Sequence, residues 1–164
     1  MKNKHLALQP WLGLIARLIL GGVLFAAGYL KIDKPDISQM AVRSYEMLPI
    51  SVANILGLVL PPVEIALGAL LILGALTHVV AALGGFTMFI FIIAIAQAWA
   101  KGLNIDCGCF GGGGSVAAED TRYLQEILRD AGLVALALFL IRYPVTKFSV
   151  DKKPADSTSQ KDVA

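Results

Sequence analysis

Charge is what this sequence has least of. Asp, Glu, Lys and Arg make up 16% of its 164 residues, against about 25% in soluble domains. From residue 65 to residue 100 none of the four occurs. Apolar residues reach 57%, above the usual share of about 45–50%, and the mean hydropathy is +0.71. A chain this short buries only part of its surface when it folds, so this apolar excess excludes an ordinary soluble domain. Cysteine is scarce as well. Two cysteines exclude a secreted scaffold held by several disulfides. A net charge of +2, with no basic stripe, excludes a nucleic-acid binder. The sequence therefore predicts one integral membrane domain.

Four spans are expected. The first covers about residues 11–30, where Arg17 is the only charge. Twenty residues of helix rise about 30 Å, the thickness of the hydrocarbon layer. The run is too long for a cleaved signal peptide, Arg17 interrupts it, and no A-x-A site follows. Residues 33–49 carry Ile37, Met40, Ala41, Ser44 and Leu48 at helical spacing and predict a short amphipathic helix at the surface, ended by Pro49. The second span covers about residues 50–76, tilted or kinked at Pro61-Pro62. Thr77-His78 divides the charge-free stretch into a helical hairpin, and the third span covers about residues 79–99. The fourth covers about residues 121–143, of which only 131–141 is free of charge. The expected fold is all-α, an integral membrane four-helix bundle running up-down-up-down. Residues 1–10 and a polar tail over 144–164, expected to be disordered, flank it.

Four spans put both termini on one side. Lys2, Lys4, Arg142, Lys147, Lys152, Lys153 and Lys161 lie there. Lys31, Lys34, Arg43 and Lys101 lie opposite, with Arg122 and Arg129 if these fall outside the membrane. The small excess predicts cytoplasmic termini in a multi-pass plasma-membrane protein. The loop over residues 101–120 then faces the outside, where thiols can oxidise.

That loop holds Cys107 and Cys109. An extended C-x-C places its Cα atoms about 7 Å apart, whereas a disulfide wants about 4.4–6.8 Å. The backbone must bend, and Gly108 bends most freely. A ring this small is strained, and strain marks labile, catalytic disulfides. The residues leave three readings open: a redox pair, a metal site completed by ligands from elsewhere, or two inert thiols. Two cysteines do not complete a zinc site, and His5 and His78 fall at the opposite end, so no metal is expected. Gly111, Gly112, Gly113 and Gly114 follow. They read either as a hinge that lets the cysteine loop swing or as a spacer before the fourth span.

Arg17 and Glu64 are the charges placed most clearly within spans, where a charge pairs, faces inward or works. Arg17 lies about 9 Å from the inner face. Glu64 lies about 21 Å down from the outer end of the second span. The depths match, which predicts an Arg17–Glu64 intramembrane pair; the alternative is a proton- or quinone-facing site. Lys31 reads as a snorkelling interface residue, and Tyr45 and Trp99 as aromatics of the interfacial belt.

The segment from Ala16 through Arg17, Gly21, Gly22, Gly28 and Tyr29 to Lys31 resembles the first helix of DoxX-like membrane proteins, most closely their MauE (methylamine utilisation) branch. So do Tyr45-Glu46-Met47-Leu48-Pro49 and Leu60-Pro61-Pro62-Val63-Glu64. Asp106-Cys107-Gly108-Cys109-Phe110-Gly111 is similar to the cysteine motif before that branch's last helix. The resemblance covers about residues 10–143 and implies a four-helix, redox-associated membrane protein. It also implies a tie to maturation of methylamine dehydrogenase, whose small subunit is rich in disulfides, or to quinone-linked and thiol-oxidoreductase complexes.

The resulting expectation is extracytoplasmic thiol–disulfide exchange through Cys107 and Cys109, with quinone as the candidate electron acceptor. The expected partner, besides the bilayer, is a thioredoxin-like or substrate protein. The alternative is a non-catalytic membrane factor that assembles or stabilises a partner enzyme.

Overall fold

The computed structural model describes residues 3–144, 146, 149 and 150. The order of elements is α1 (Asn3–Ile32), α2 (Pro35–Ser44), α3 (Ile50–Leu73), α4 (Thr77–Ala100), β1 (Ile105–Asp106), β2 (Gly114–Ser115), a short 3-10 turn (Ala118–Asp120) and α5 (Tyr123–Arg142).

Helix starts and stops follow from local chemistry. Pro35 opens α2 at its first position, where its missing N–H is not needed. Gly74 closes α3 in the left-handed conformation, φ 70°. Its N–H bonds back to Leu71, and that of Ala75 bonds to Leu70, each at 3.0 Å, the cap that glycine makes without steric cost. The expected second span therefore ends at Leu73 rather than at residue 76, and α4 begins at Thr77.

Among the described residues, three segments are long and apolar enough to cross a membrane: Gln9–Ile32, Ile50–Leu73 and Thr77–Ala100. The expected fourth, α5, falls short by composition, because Glu126, Arg129 and Asp130 occupy its first half. The all-α expectation needs one amendment. β1 and β2 pair antiparallel, Ile105 with Ser115 and Asp106 with Gly114. Segments of two residues are too short to show an alternating pattern, so nothing in the sequence announced them.

Backbones approach closely where glycine allows. A Cβ on Gly28 would lie 2.5 Å from the Pro61 carbonyl oxygen, and one on Gly68 would lie 2.5 Å from the Phe25 nitrogen. These contacts set α1 antiparallel to α3, with small residues letting the helices touch as in membrane interfaces generally. Leu20, Leu24, Leu71, Val80, Ala81, Met88, Leu133, Ala137 and Leu140 form the main core between α1, α3, α4 and α5. A second core at one end joins Tyr45, Ile95, Ala98, Ile105, Cys107, Cys109 and Tyr123. Large apolar side chains such as Ile50, Ile55, Phe86, Phe89 and Leu138 stay exposed. In water that would be a severe liability, and in lipid it is the expected outer face.

Three described residues beyond α5 contact the bundle. Thr146 is buried, and the Ser149 hydroxyl and Val150 N–H both donate to the Gly74 carbonyl at 3.0 Å. The polar run from Asp151, expected to be disordered, lies outside the described residues.

Candidate functional site

The cysteines lie in the connection between β1 and β2, which spans residues 107–113. Three tyrosine bonds hold this hairpin at the end of the bundle. Tyr45, at the end of α2, donates its hydroxyl to the Cys107 carbonyl at 2.9 Å. Tyr123, at the start of α5, accepts from the Ile105 N–H at 3.0 Å and donates to the Leu103 carbonyl. Burial leaves the Tyr45 phenol well above the usual range for its titration, so it stays a donor. The sequence reading placed Tyr45 in the interfacial belt; the structure places it on the backbone of the cysteine loop.

Gly108 turns the loop between the two cysteines with φ 70°, a region that costs other residues about 1–2 kcal/mol. Its N–H donates to Asp106 Oδ1 at 3.0 Å. The Cys109 N–H points at Cys107 Sγ, 3.3 Å away. Both cysteines are free thiols and both are buried. A hydrogen bond from the neighbouring thiol and burial together push the Cys107 thiol well above its ordinary range.

The glycine run is packed, not loose. A Cβ on Gly108 or on Gly113 would lie 2.5 Å from Ala41 Cβ, and one on Gly111 would lie 3.1 Å from the Leu30 carbonyl oxygen. These residues seat the loop against α1 and α2. That differs from the hinge or spacer expected of Gly111 to Gly114, while Gly108 sits at the bend expected of it.

The expected Arg17–Glu64 pair gives way to another. Lys31 Nζ lies 2.6 Å from Glu64 Oε2, with both side chains at most 4% exposed. Arg17 instead donates to the Thr146 hydroxyl at 2.8 Å, beside Gly74. The reason is register. Gly28 opposes residues 61 and 65, and Gly21 opposes residues 68 and 71, so Glu64 faces the Lys31 end of α1. Arg17 lies fourteen residues, or about 21 Å, further along the helix. Lys31 is accordingly a buried partner rather than a snorkelling one.

Glu64 and Cys109 border one narrow cleft with Met88, Phe91, Arg129 and Asp130. Cys107 borders a second with Lys31, Ser38, Tyr45 and Phe91. Asp130 is 1% exposed and takes a hydrogen bond from Arg129 Nε at 2.8 Å. The Arg129 guanidinium also lies 5.1 Å from the Phe110 ring centre, a cation–π contact that ties the loop to α5. One ligand-type atom from each of Asp106, Cys107 and Glu126 falls within 4.8 Å of the others. Three such atoms fall short of the four a structural zinc takes, and Asp106 already engages Gly108. Lys31, Arg129, Asp130 and Glu126 all escaped the sequence reading as site residues. Their one signal was charge next to apolar runs.

Comparison with known proteins adds a family. The sequence model of a family described as methylamine utilisation protein MauE matches residues 9–143. The methylamine utilization protein MauE of Paracoccus denitrificans is 30% identical over 132 residues, which covers 80% of this chain and 69% of that protein. No solved structure matches.

Proposed function

We propose, because the chain belongs to the MauE family of membrane proteins, that it serves methylamine utilisation as the membrane component of a thiol–disulfide exchange. Cys107 and Cys109 are its redox pair. In the oxidised state a thiolate of a partner protein attacks one sulfur of the Cys107–Cys109 disulfide. A mixed disulfide forms and the other cysteine leaves. The partner's second thiol then resolves it, so the partner gains a disulfide while the pair takes up two electrons and two protons. Quinone in the bilayer is the proposed acceptor that restores the disulfide and becomes quinol. The proposed partner is a thioredoxin-like protein or a disulfide-rich substrate such as methylamine dehydrogenase.

One observation carries this reading. The left-handed turn at Gly108 bends the C-x-C backbone and Cys107 Sγ lies 3.3 Å from the Cys109 amide nitrogen; a bend at this position is what closing so small a ring needs. The membrane arrangement follows the charges. α5 has twenty residues, enough for about 30 Å, and is the proposed fourth crossing of an up-down-up-down bundle. The termini are then cytoplasmic and the cysteine loop extracytoplasmic.

The test is covalent capture. Full-length protein with Cys107→Ser or Cys109→Ser, purified with free thiols blocked, is expected to carry a partner that dithiothreitol releases. If neither variant captures a partner, and the double serine variant supports growth on methylamine as well as the parent, exchange is wrong. Burial of both thiols favours one second reading. In it the loop is a structural plug, and the protein is a non-catalytic factor that assembles or stabilises a partner enzyme.

A further inference from the structure

Cys107 is ill placed to react unaided. It is buried, it touches a second thiol, and carboxylates stand nearby, all of which oppose a thiolate. An exchange site with these surroundings needs a proton carrier at the sulfur. We propose that Glu126 is that carrier: its carboxylate takes the proton from Cys107 Sγ and returns it when Cys107 leaves as a thiolate. This rests on the exchange reading.

The geometry selects Glu126 from its neighbours. Asp106 belongs to the same cluster, but its Oδ1 holds the Gly108 N–H. Asp130 is taken by Arg129 and Glu64 by Lys31. Tyr45, from α2, donates to the Cys107 carbonyl rather than facing the sulfur as a base. Lys31 borders the cleft beside Cys107 from α1, but its ammonium is held by Glu64. Glu126 projects from the first turn of α5; its Oε2, like Asp130 Oδ2, is buried without a hydrogen-bond partner among the described residues, but of the two only Glu126 falls in one cluster with Cys107. The step is a proton transfer alone: the S–H bond breaks, an O–H bond forms on Glu126, and no electron moves. During reduction of the disulfide the same proton runs back from Glu126 to the departing sulfur.

Replacing Glu126 by Gln separates this role from simple electrostatics, because the two have opposite sign. As a neighbouring negative charge, Glu126 holds the thiolate down, and Glu126→Gln would raise its reactivity. As the proton acceptor it makes the thiolate available, and Glu126→Gln would lower it.

The measurement uses full-length Cys109→Ser protein in detergent, reduced, so that Cys107 is the one thiol present. Its alkylation by an uncharged maleimide is followed from about pH 6 to about pH 9, which brackets an ordinary thiol. Glu126→Gln is expected to slow alkylation near pH 7 by about tenfold or more, with Glu126→Asp intermediate. An equal or faster rate in Glu126→Gln overturns the proposal. Should that variant not purify as a monodisperse protein, Glu126→Asp decides alone. Withdrawing the carboxylate by about one bond length, roughly 1.5 Å, must slow the reaction, and an unchanged or faster rate overturns the role. Partner capture is scored separately on Cys107→Ser and Cys109→Ser protein with Glu126 intact. Failed capture and unimpaired growth of the double serine variant, together with slowed alkylation, remove the exchange reading and leave Glu126 as the proton acceptor of Cys107.

Discussion

Lys31 and Glu64 form a buried ion pair, Nζ to Oε2 at 2.6 Å, joining α1 to α3 beneath the cysteine loop. Cα–Cβ bonds in a helix tilt toward its N-terminal end. In an antiparallel pair that lets Lys31 reach back into the bundle while Glu64 reaches up to it.

Removing one partner of this pair leaves a buried charge. Glu64→Gln is expected to destabilise the protein by about 3–5 kcal/mol, and Lys31→Met with Glu64→Leu to recover most of that. Thermal unfolding in detergent checks it. Exchanging Arg17 and Glu64 is expected to give no recovery, since the two residues do not meet. A rescued melting temperature in that exchange variant would put the pairing in the wrong place.

Gly108 and Gly102 offer an internal comparison. Both have positive φ, 70° and 68°, but only Gly108 faces a neighbour, with Ala41 Cβ 2.5 Å from the place of an added Cβ and nothing within 4 Å at Gly102. Gly102→Ala should cost about 1–2 kcal/mol, the left-handed penalty alone. Gly108→Ala should cost more and lift the loop from α2, so that reduced Cys107 and Cys109 alkylate faster. Equal stability losses and equal labelling rates would mean that loop seating does not depend on this contact.

Tyr45→Phe deletes the hydroxyl that holds the Cys107 carbonyl. The loss should be about 1–3 kcal/mol, because a buried acceptor goes unpaired. Thiol labelling should quicken as the loop loosens. Unfolding and alkylation rates, measured on the same preparation, test both parts. An unchanged labelling rate would show that Tyr45 stabilises α2 without gating the thiols.

The orientation is open to a direct assay. With Cys107→Ser and Cys109→Ser as background, a cysteine placed at exposed Lys101 or Glu119 should react with a membrane-impermeant maleimide in intact cells. A cysteine added before Met1 should react only after lysis. The opposite pattern would put the loop in the cytoplasm and end the oxidative reading.

The sequence located the pieces with fair accuracy and the partners poorly. The charge-free run from residue 65 to residue 100, broken at Thr77-His78, marked the α3–α4 turn within three residues. The spacing of Ile37, Met40, Ala41 and Ser44 marked α2. Depth counted from Ile50 pairs Glu64 with Arg17, because it sets the start of α3 level with the end of α1. Instead the first turns of α3 overshoot α1 and pack on α2, where a Cβ on Gly57 would lie 2.5 Å from Gln39 Cα. No periodicity in one helix reports its offset against another.

By itself, then, the sequence determined that this chain lives in a membrane, where its helices run and that its two cysteines share one loop. Those are consequences of composition and of near-neighbour chemistry, which a linear string carries in full. Tertiary structure alone decided that Lys31 meets Glu64, that Glu126 and Tyr45 reach Cys107, and that the glycines seat the loop rather than free it. The physical reason is that helix register is set by where backbones can touch, at Gly28, Gly57 and Gly68. A shift of one turn along a helix moves a side chain by about 5.4 Å, enough to exchange one partner for another.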